Sequence, residues 1–176
     1  MKELIAALCI LTLLSCAVLN KVDRPKGLFK IDLHGTVYHP YCGGAKPDPD
    51  VAKGYYESMK FVKFKLFKGS SYSAGNTAIQ EVNLDEGGNI TLFLEPGDYY
   101  LLEAEKLLST DEFMKQNGPA NEIHYVVKDK SCFENWMKTP DLIFSVNNDT
   151  VIEMRAKAKC WVGTNPCMEY IGPPAP

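Results

Sequence analysis

Long hydrophobic runs are scarce in this 176-residue sequence. The longest is LIAALCILTLLSCAVL, Leu4 to Leu19, interrupted only by Thr12 and Ser15. As a helix it would span about 24 Å, short of a hydrocarbon core of roughly 30 Å, so its length suits a secretory signal better than a membrane span. Basic blocks are missing too. Lys and Arg number 19 against 22 Asp and Glu, for a net charge of −3, and they are dispersed. That argues against nucleic acid as a partner, because neutralising phosphates needs clustered cations. No G-x-S-x-G, H-E-x-x-H, P-loop or dinucleotide fingerprint occurs, and no cofactor is implied. Close cysteine pairs of the C-x2-C kind, which zinc prefers, are absent, as are internal repeats.

What is present is an ordinary globular composition, 45% hydrophobic and 23% charged, long enough for one sizeable core. The body alternates. In LFKIDLHGTVYH, Phe29, Ile31, Leu33 and Val37 point one way and Lys30, Asp32, His34, Thr36 and Tyr38 the other, a half-buried strand with a bulge expected at Gly35. PYCGGAKPDPD then reads as a surface loop. KFVKFKLFK repeats the period, with Val62, Phe64 and Leu66 inward and the lysines on a solvated face. AIQEVNL, NITLFLEPG and DYYLLEAEKL follow, with DEGG (85–88) expected as a hairpin and EPGD (95–98) as a tight turn carrying Gly97 at positive φ.

Past Leu107 the alternation fades. STDEFMKQNG predicts a short helix capped by Ser109 or Thr110 and stopped by Gly118 and Pro119. EIHYVVK predicts a strand, and CFENWMKTPD an irregular excursion held by Cys132. DLIFSV and TVIEMRAKAK predict two last strands, the second with Ile152, Met154, Ala156 and Ala158 inward. The fold class is therefore all-β: an antiparallel β-sandwich with one short helix besides the N-terminal signal helix.

Gly35 and Val37, then Asp85, Gly88 and Ile90, then Leu94, Pro96, Gly97 and Tyr99 match an ordered pattern: an early G-x-V strand, a D-x-x-G turn and L-x-P-G-x-Y. The stretch 28–106 resembles carboxypeptidase regulatory-like, or transthyretin-like, β-sandwich domains. That resemblance implies a fold and leaves the activity open, since such modules serve many activities.

Leu13, Leu14, Ser15 and Cys16 resemble the lipobox of bacterial lipoproteins. The resemblance implies cleavage before Cys16, attachment of diacylglycerol and palmitate to that residue, and a stable membrane anchor, because more than one acyl chain is held. The organisation expected is a signal peptide at 1–15, a tether at 16–27 and a single β-sandwich domain at 28–176. Ala17, in place of aspartate, leans toward the outer membrane, and the first acidic residue after the cysteine is Asp23, which leans toward the periplasmic side of the cell envelope.

Cys9 leaves with the signal. Cys42, Cys132, Cys160 and Cys167 remain, and an even count in an exported chain reads as two disulfides with three pairings open. A short Cys160 to Cys167 bridge would contribute about 2.4 kcal/mol and a bridge from Cys42 to either about 5 kcal/mol by loop entropy.

The functional reading is a non-catalytic, exported lipoprotein, a binding or structural module. Its partners are the membrane, through the lipid, and an envelope protein or glycan. Partner contact is expected at the loop 40–54 and the excursion 107–141. Tyr55, Tyr56, Tyr99, Tyr100, Trp136 and Trp161 are candidates for an aromatic platform. One alternative is a periplasmic metal-binding protein using His39, Cys42 and a further cysteine. Another is a hydrolase built on paired acids among Asp48, Asp50, Asp85, Glu86, Glu103 and Glu105.

Overall fold

In the computed structural model, residues 25–43, 46–73, 75–117 and 124–173 are described. The expected signal peptide, Cys16, most of the expected tether, and Gly118 and Pro119 lie outside these residues.

The alternating segments form two facing sheets. In the first, β1 (Phe29–His39) is central. Its antiparallel neighbour on one side is β5 (Asn89–Leu94) as far as His34, and then β2 (Tyr55–Ser58) from Thr36 onward. On the other side β9 (Thr150–Lys157) runs parallel to it, from Ile31 opposite Thr150 to Tyr38 opposite Lys157. The second sheet has the order β4 (Gln80–Asn83), β3 (Lys63–Lys68), β6 (Gly97–Glu103), β8 (Leu142–Val146), all antiparallel. The molecule is an all-β sandwich, antiparallel except for the β1–β9 pair. A parallel pair needs a long crossover, and here nearly the whole domain lies between the two strands.

Gly35 is not a bulge. Its register against β9 is unbroken, with Met154 opposite. It marks the position where β1 exchanges β5 for β2: its N–H donates to Gly88 O at 2.8 Å, and its carbonyl accepts from Met59 N at 3.0 Å. A Cβ at Gly35 would meet Leu84 Cδ1 at 2.9 Å and Met59 Sδ at 3.0 Å. A side chain there would displace the ends of the Leu84 and Met59 side chains that pack over the glycine.

DEGG is a turn but not a hairpin within one sheet. Asp85 Oδ1 accepts from Gly87 N and Asn89 N, both at 2.8 Å, and Gly88 takes φ +76°. The flanking strands nevertheless belong to different sheets. The same holds at EPGD, where Gly97 has φ +149°, and at Asn147–Asp149. The turns connect layers because the apolar faces of successive strands pack against each other rather than side by side.

Between the sheets lie Ile31, Leu33, Phe64, Leu66, Val82, Leu92, Tyr99, Leu101 and Val146, all buried. Phe67, Tyr100 and Leu102 form a smaller cluster with Tyr72 and Ala78. The lysines of β3 are exposed or half-buried, with Lys65 paired to Glu81.

The segment after β6 is more helical than expected. Residues Ala104–Leu107 form a 3-10 turn. Helix α2 (Thr110–Asn117) follows α1 (Pro49–Ala52), a single turn in the 40–54 loop. Ser109 caps α2 with a capping box: Ser109 Oγ accepts from Glu112 N at 3.2 Å, and Glu112 Oε2 accepts from Ser109 N at 3.1 Å. The supposed irregular excursion is a second helix, α3 (Lys130–Lys138), with Asp129 accepting from Cys132 N at 2.7 Å. The spacing Cys132, Phe133, Trp136, Met137 is an amphipathic stripe. It buries Phe133 and Met137 with Phe113, Cys167 and Met168 in a second small core. Strands β7 (Tyr125–Val127) and β10 (Met168–Tyr170) pair beside it.

The four cysteines form two disulfides. Cys42 joins Cys160 across 118 residues, with Cα atoms 5.4 Å apart, and Cys132 joins Cys167 across 35 residues at 5.6 Å. Loop entropy makes these worth about 5 and about 4 kcal/mol. The first fastens the 40–54 loop to the end of β9; the second staples the helical core.

Candidate functional site: an aromatic groove and a charged pocket

The first candidate surrounds the Cys42–Cys160 bridge. An open groove of about 490 Å³ is lined by His39, Pro40, Val51, Tyr55, Lys159 and Trp161, among others. Strand β1 ends in His39, whose ring stacks on Tyr55 across the β1–β2 ladder at 4.9 Å and 13°. Opposite, the turn after β9 is closed by the Lys159–Gly163 pairing and holds Trp161 at φ +63°. A bulky residue in left-handed backbone is strained, and such strain persists only where surrounding structure enforces it. The bridged Cys160 beside it and the Tyr170 ring, 4.8 Å from Trp161, supply that enforcement. Tyr55 is 60%, Val51 54% and Trp161 43% exposed, so large apolar surface faces solvent around one concavity. His39 Nε2 lies 3.6 Å from Glu57 Oε2, and Lys159 Nζ donates to Pro166 O at 2.9 Å, which places polar groups near the rings.

The aromatic candidates therefore divide. Tyr55 and Trp161 line the groove, whereas Tyr56, the next residue of β2, is exposed against Tyr38 and is not part of the lining. Tyr99 and Tyr100 are buried and belong to the sandwich. Trp136 packs in the helical core. The metal alternative fails at Cys42, whose sulfur is bonded to Cys160 and offers no thiolate. Among the described residues no group of His, Cys, Asp and Glu is arranged to hold a metal.

The second candidate is a smaller pocket of about 170 Å³ at the junction of sandwich and helical core. Val37, Met59 and Phe64 form its apolar wall, and Glu103, Asp141 and Trp136 its other side. Glu103 closes β6, where the strand gives way to the 3-10 turn. Burial pushes its carboxyl up to about 7, with the charges of Asp141 and Glu105 adding and that of Lys106 opposing. Lys106 is itself buried. Its Nζ donates to Asp141 Oδ1 at 2.5 Å and to Thr139 O at 3.1 Å, and lies 4.8 Å from the Trp136 ring centroid. Asp141 Oδ2 accepts from Glu103 N at 2.7 Å.

Of the acids considered for a hydrolase, only Glu103 lines this pocket. Asp48 caps α1, Asp50 pairs with Lys53, and Asp85 orders its turn. Glu86 and Glu105 are exposed. The partner of Glu103 is Asp141, which sequence reasoning did not single out. Nor did it single out Lys106, because a lysine beside Leu107 and Leu108 carries no signal that it is turned inward.

No family model matches the sequence, and no curated protein matches it. Among solved structures the chain is similar to the shaft pilin SpaA from Lactobacillus rhamnosus GG, at 8% identity and TM-score 0.34, over 74% of this chain and 48% of the pilin. A double mutant of that pilin gives 8% and 0.35, over 74% and 49%. A 9R-lipoxygenase from Cyanothece PCC8801 gives 9% and 0.26, over 79% of this chain and 18% of that one. The chain spans about half the length of the pilin. At these scores the likeness carries no functional inference.

Proposed function

We propose that the protein is an exported, lipid-anchored and non-catalytic module of the cell envelope, and that its aromatic groove binds a glycan. The observation that carries this reading is the convergence of Tyr55 and Trp161 on one exposed, disulfide-braced concavity. Rigid aromatic rings lose little freedom on binding, and they offer flat apolar faces against which the C–H face of a pyranose can lie. His39, Glu57 and Lys159 stand at the rim, suited to hydroxyl groups. Anchoring belongs to Cys16, with the membrane as the second partner. Two disulfides support placement in an oxidising compartment.

The test is retention of the full chain on immobilised envelope polysaccharide, compared with Trp161→Ala and Tyr55→Ala. Each variant is expected to weaken binding about tenfold or more. Retention unchanged in both, or none in the wild type, refutes the glycan. Incorporation of labelled fatty acid is expected in the wild type and not in Cys16→Ser; equal incorporation refutes the anchor.

A further inference from the structure

Lys106, Asp141 and Glu103 meet where the sandwich joins the helical core, and the glycan reading leaves them unused. Lys106 is 5% exposed. Its amine faces Asp141 Oδ1 at 2.5 Å, is steadied by Thr139 O at 3.1 Å, and has the Trp136 ring 4.8 Å away. The carboxyl group of Asp141 is fixed from the other side: Oδ2 accepts from Glu103 N at 2.7 Å, and Asp141 N donates to Leu101 O at 2.9 Å. The Lys106 side chain is 3% exposed and that of Asp141 23%, so it is chiefly the ammonium whose charge is costly to keep away from water. Moving one proton from amine to carboxylate removes both charges and leaves a neutral amine against a neutral acid. Held reactants of this kind behave as if at effective molarities of about 10⁵ M or more.

We propose that Lys106 and Asp141 condense to an intramolecular amide that joins the 3-10 turn after β6 to the approach to β8, with the Glu103 carboxyl relaying the proton. The Lys106 Nζ lone pair attacks Asp141 Cγ. Negative charge develops on Oδ2, where the Glu103 backbone N–H already points. Oδ1 leaves as water, carrying its own proton and one from the Glu103 carboxyl, and the nitrogen returns a proton to Glu103. One N–C bond forms, one C–O bond breaks and one water is released; nothing is oxidised or reduced. Burial of Glu103 favours the protonated acid that the relay needs near neutral pH.

A tryptic map of the folded full chain, after reduction, tests this. Lys106 bound as an amide resists trypsin, so residues 69–115 should appear joined to residues 139–155, one water lighter than their sum. Neither segment contains cysteine, so reduction cannot part them. Lys106→Arg should give separate peptides, and Glu103→Gln, shown folded by circular dichroism, should lose the joined species. Separate peptides from folded wild type overturn the amide. A joined species undiminished in Glu103→Gln overturns the relay.

Discussion

Replacing Glu103 by glutamine should remove a pH dependence that runs opposite to ordinary acid denaturation. In the unfolded chain the Glu103 carboxyl titrates near 4.5, and in the folded protein burial raises it to about 7. Between those values the native state holds a proton that the unfolded state has released. Stability therefore falls as pH rises through this window and levels off above it. The displacement corresponds to at most about 3 kcal/mol, and the pocket's contact with solvent trims that toward about 2 kcal/mol. Urea unfolding at intervals from pH 4.5 to 8 supplies the measurement. Relative to Glu103→Gln, the wild type should lose stability across that range. Other perturbed acids do not intrude. Hydrogen bonds from Lys30 to Asp32, from Lys65 to Glu81, from Ser109 to Glu112 and from Ser131 to Asp129 hold those carboxyls below their usual range. Their contribution is present above the unfolded values and is lost only as pH falls through the folded ones. Should the amide form, Lys106 and Asp141 lose their charges, yet burial, the dominant cause, remains. Its loss in the variant displaces the whole curve without changing the slope. A difference between wild type and variant that is flat with pH, or that rises, refutes the burial of this carboxyl.

Removing the Cys42–Cys160 bridge as a double serine variant should cost about 5 kcal/mol, and removing Cys132–Cys167 about 4 kcal/mol, by denaturant titration; the reverse order would show that loop entropy does not govern them. A thiol count on the denatured, unreduced chain should find none of these four cysteines free. Gly88→Ala should destabilise by about 1–3 kcal/mol, since its φ is +76° and a Cβ would stand 2.6 Å from Gly35 O, and thermal melting reads the loss. Phe133→Ala should cost about 3–5 kcal/mol and raise amide exchange in α3 before β3 or β6, because Phe133 belongs to the helical core rather than the sandwich.

Strand patterning was legible because a period of two reports which face is buried: β9 followed it throughout, β1 as far as Gly35, and β3 except at Phe67, which is buried on the opposite face from Phe64 and Leu66. Helix α3 was hidden only by its context: the stripe at 132, 133, 136 and 137 is a helical signal, with Asp129 as its cap. The aromatic groove was half legible. Tyr55 and Trp161 were candidates from composition, but so were Tyr99 and Tyr100, and only three-dimensional packing separates an exposed ring from a core one.

Local chemistry thus determined the all-β class, the turn at Asp85, the Ser109 cap and an even set of cysteines beyond Cys16. These depend on neighbours a few residues away, which a sequence displays. Tertiary structure alone decided that turns cross between layers, that Cys42 bonds Cys160, that β9 runs parallel to β1, and that Lys106 meets Asp141 beside Glu103. Each of these joins residues whose distance in space is unrelated to their separation along the chain, and is fixed by which apolar faces close against each other.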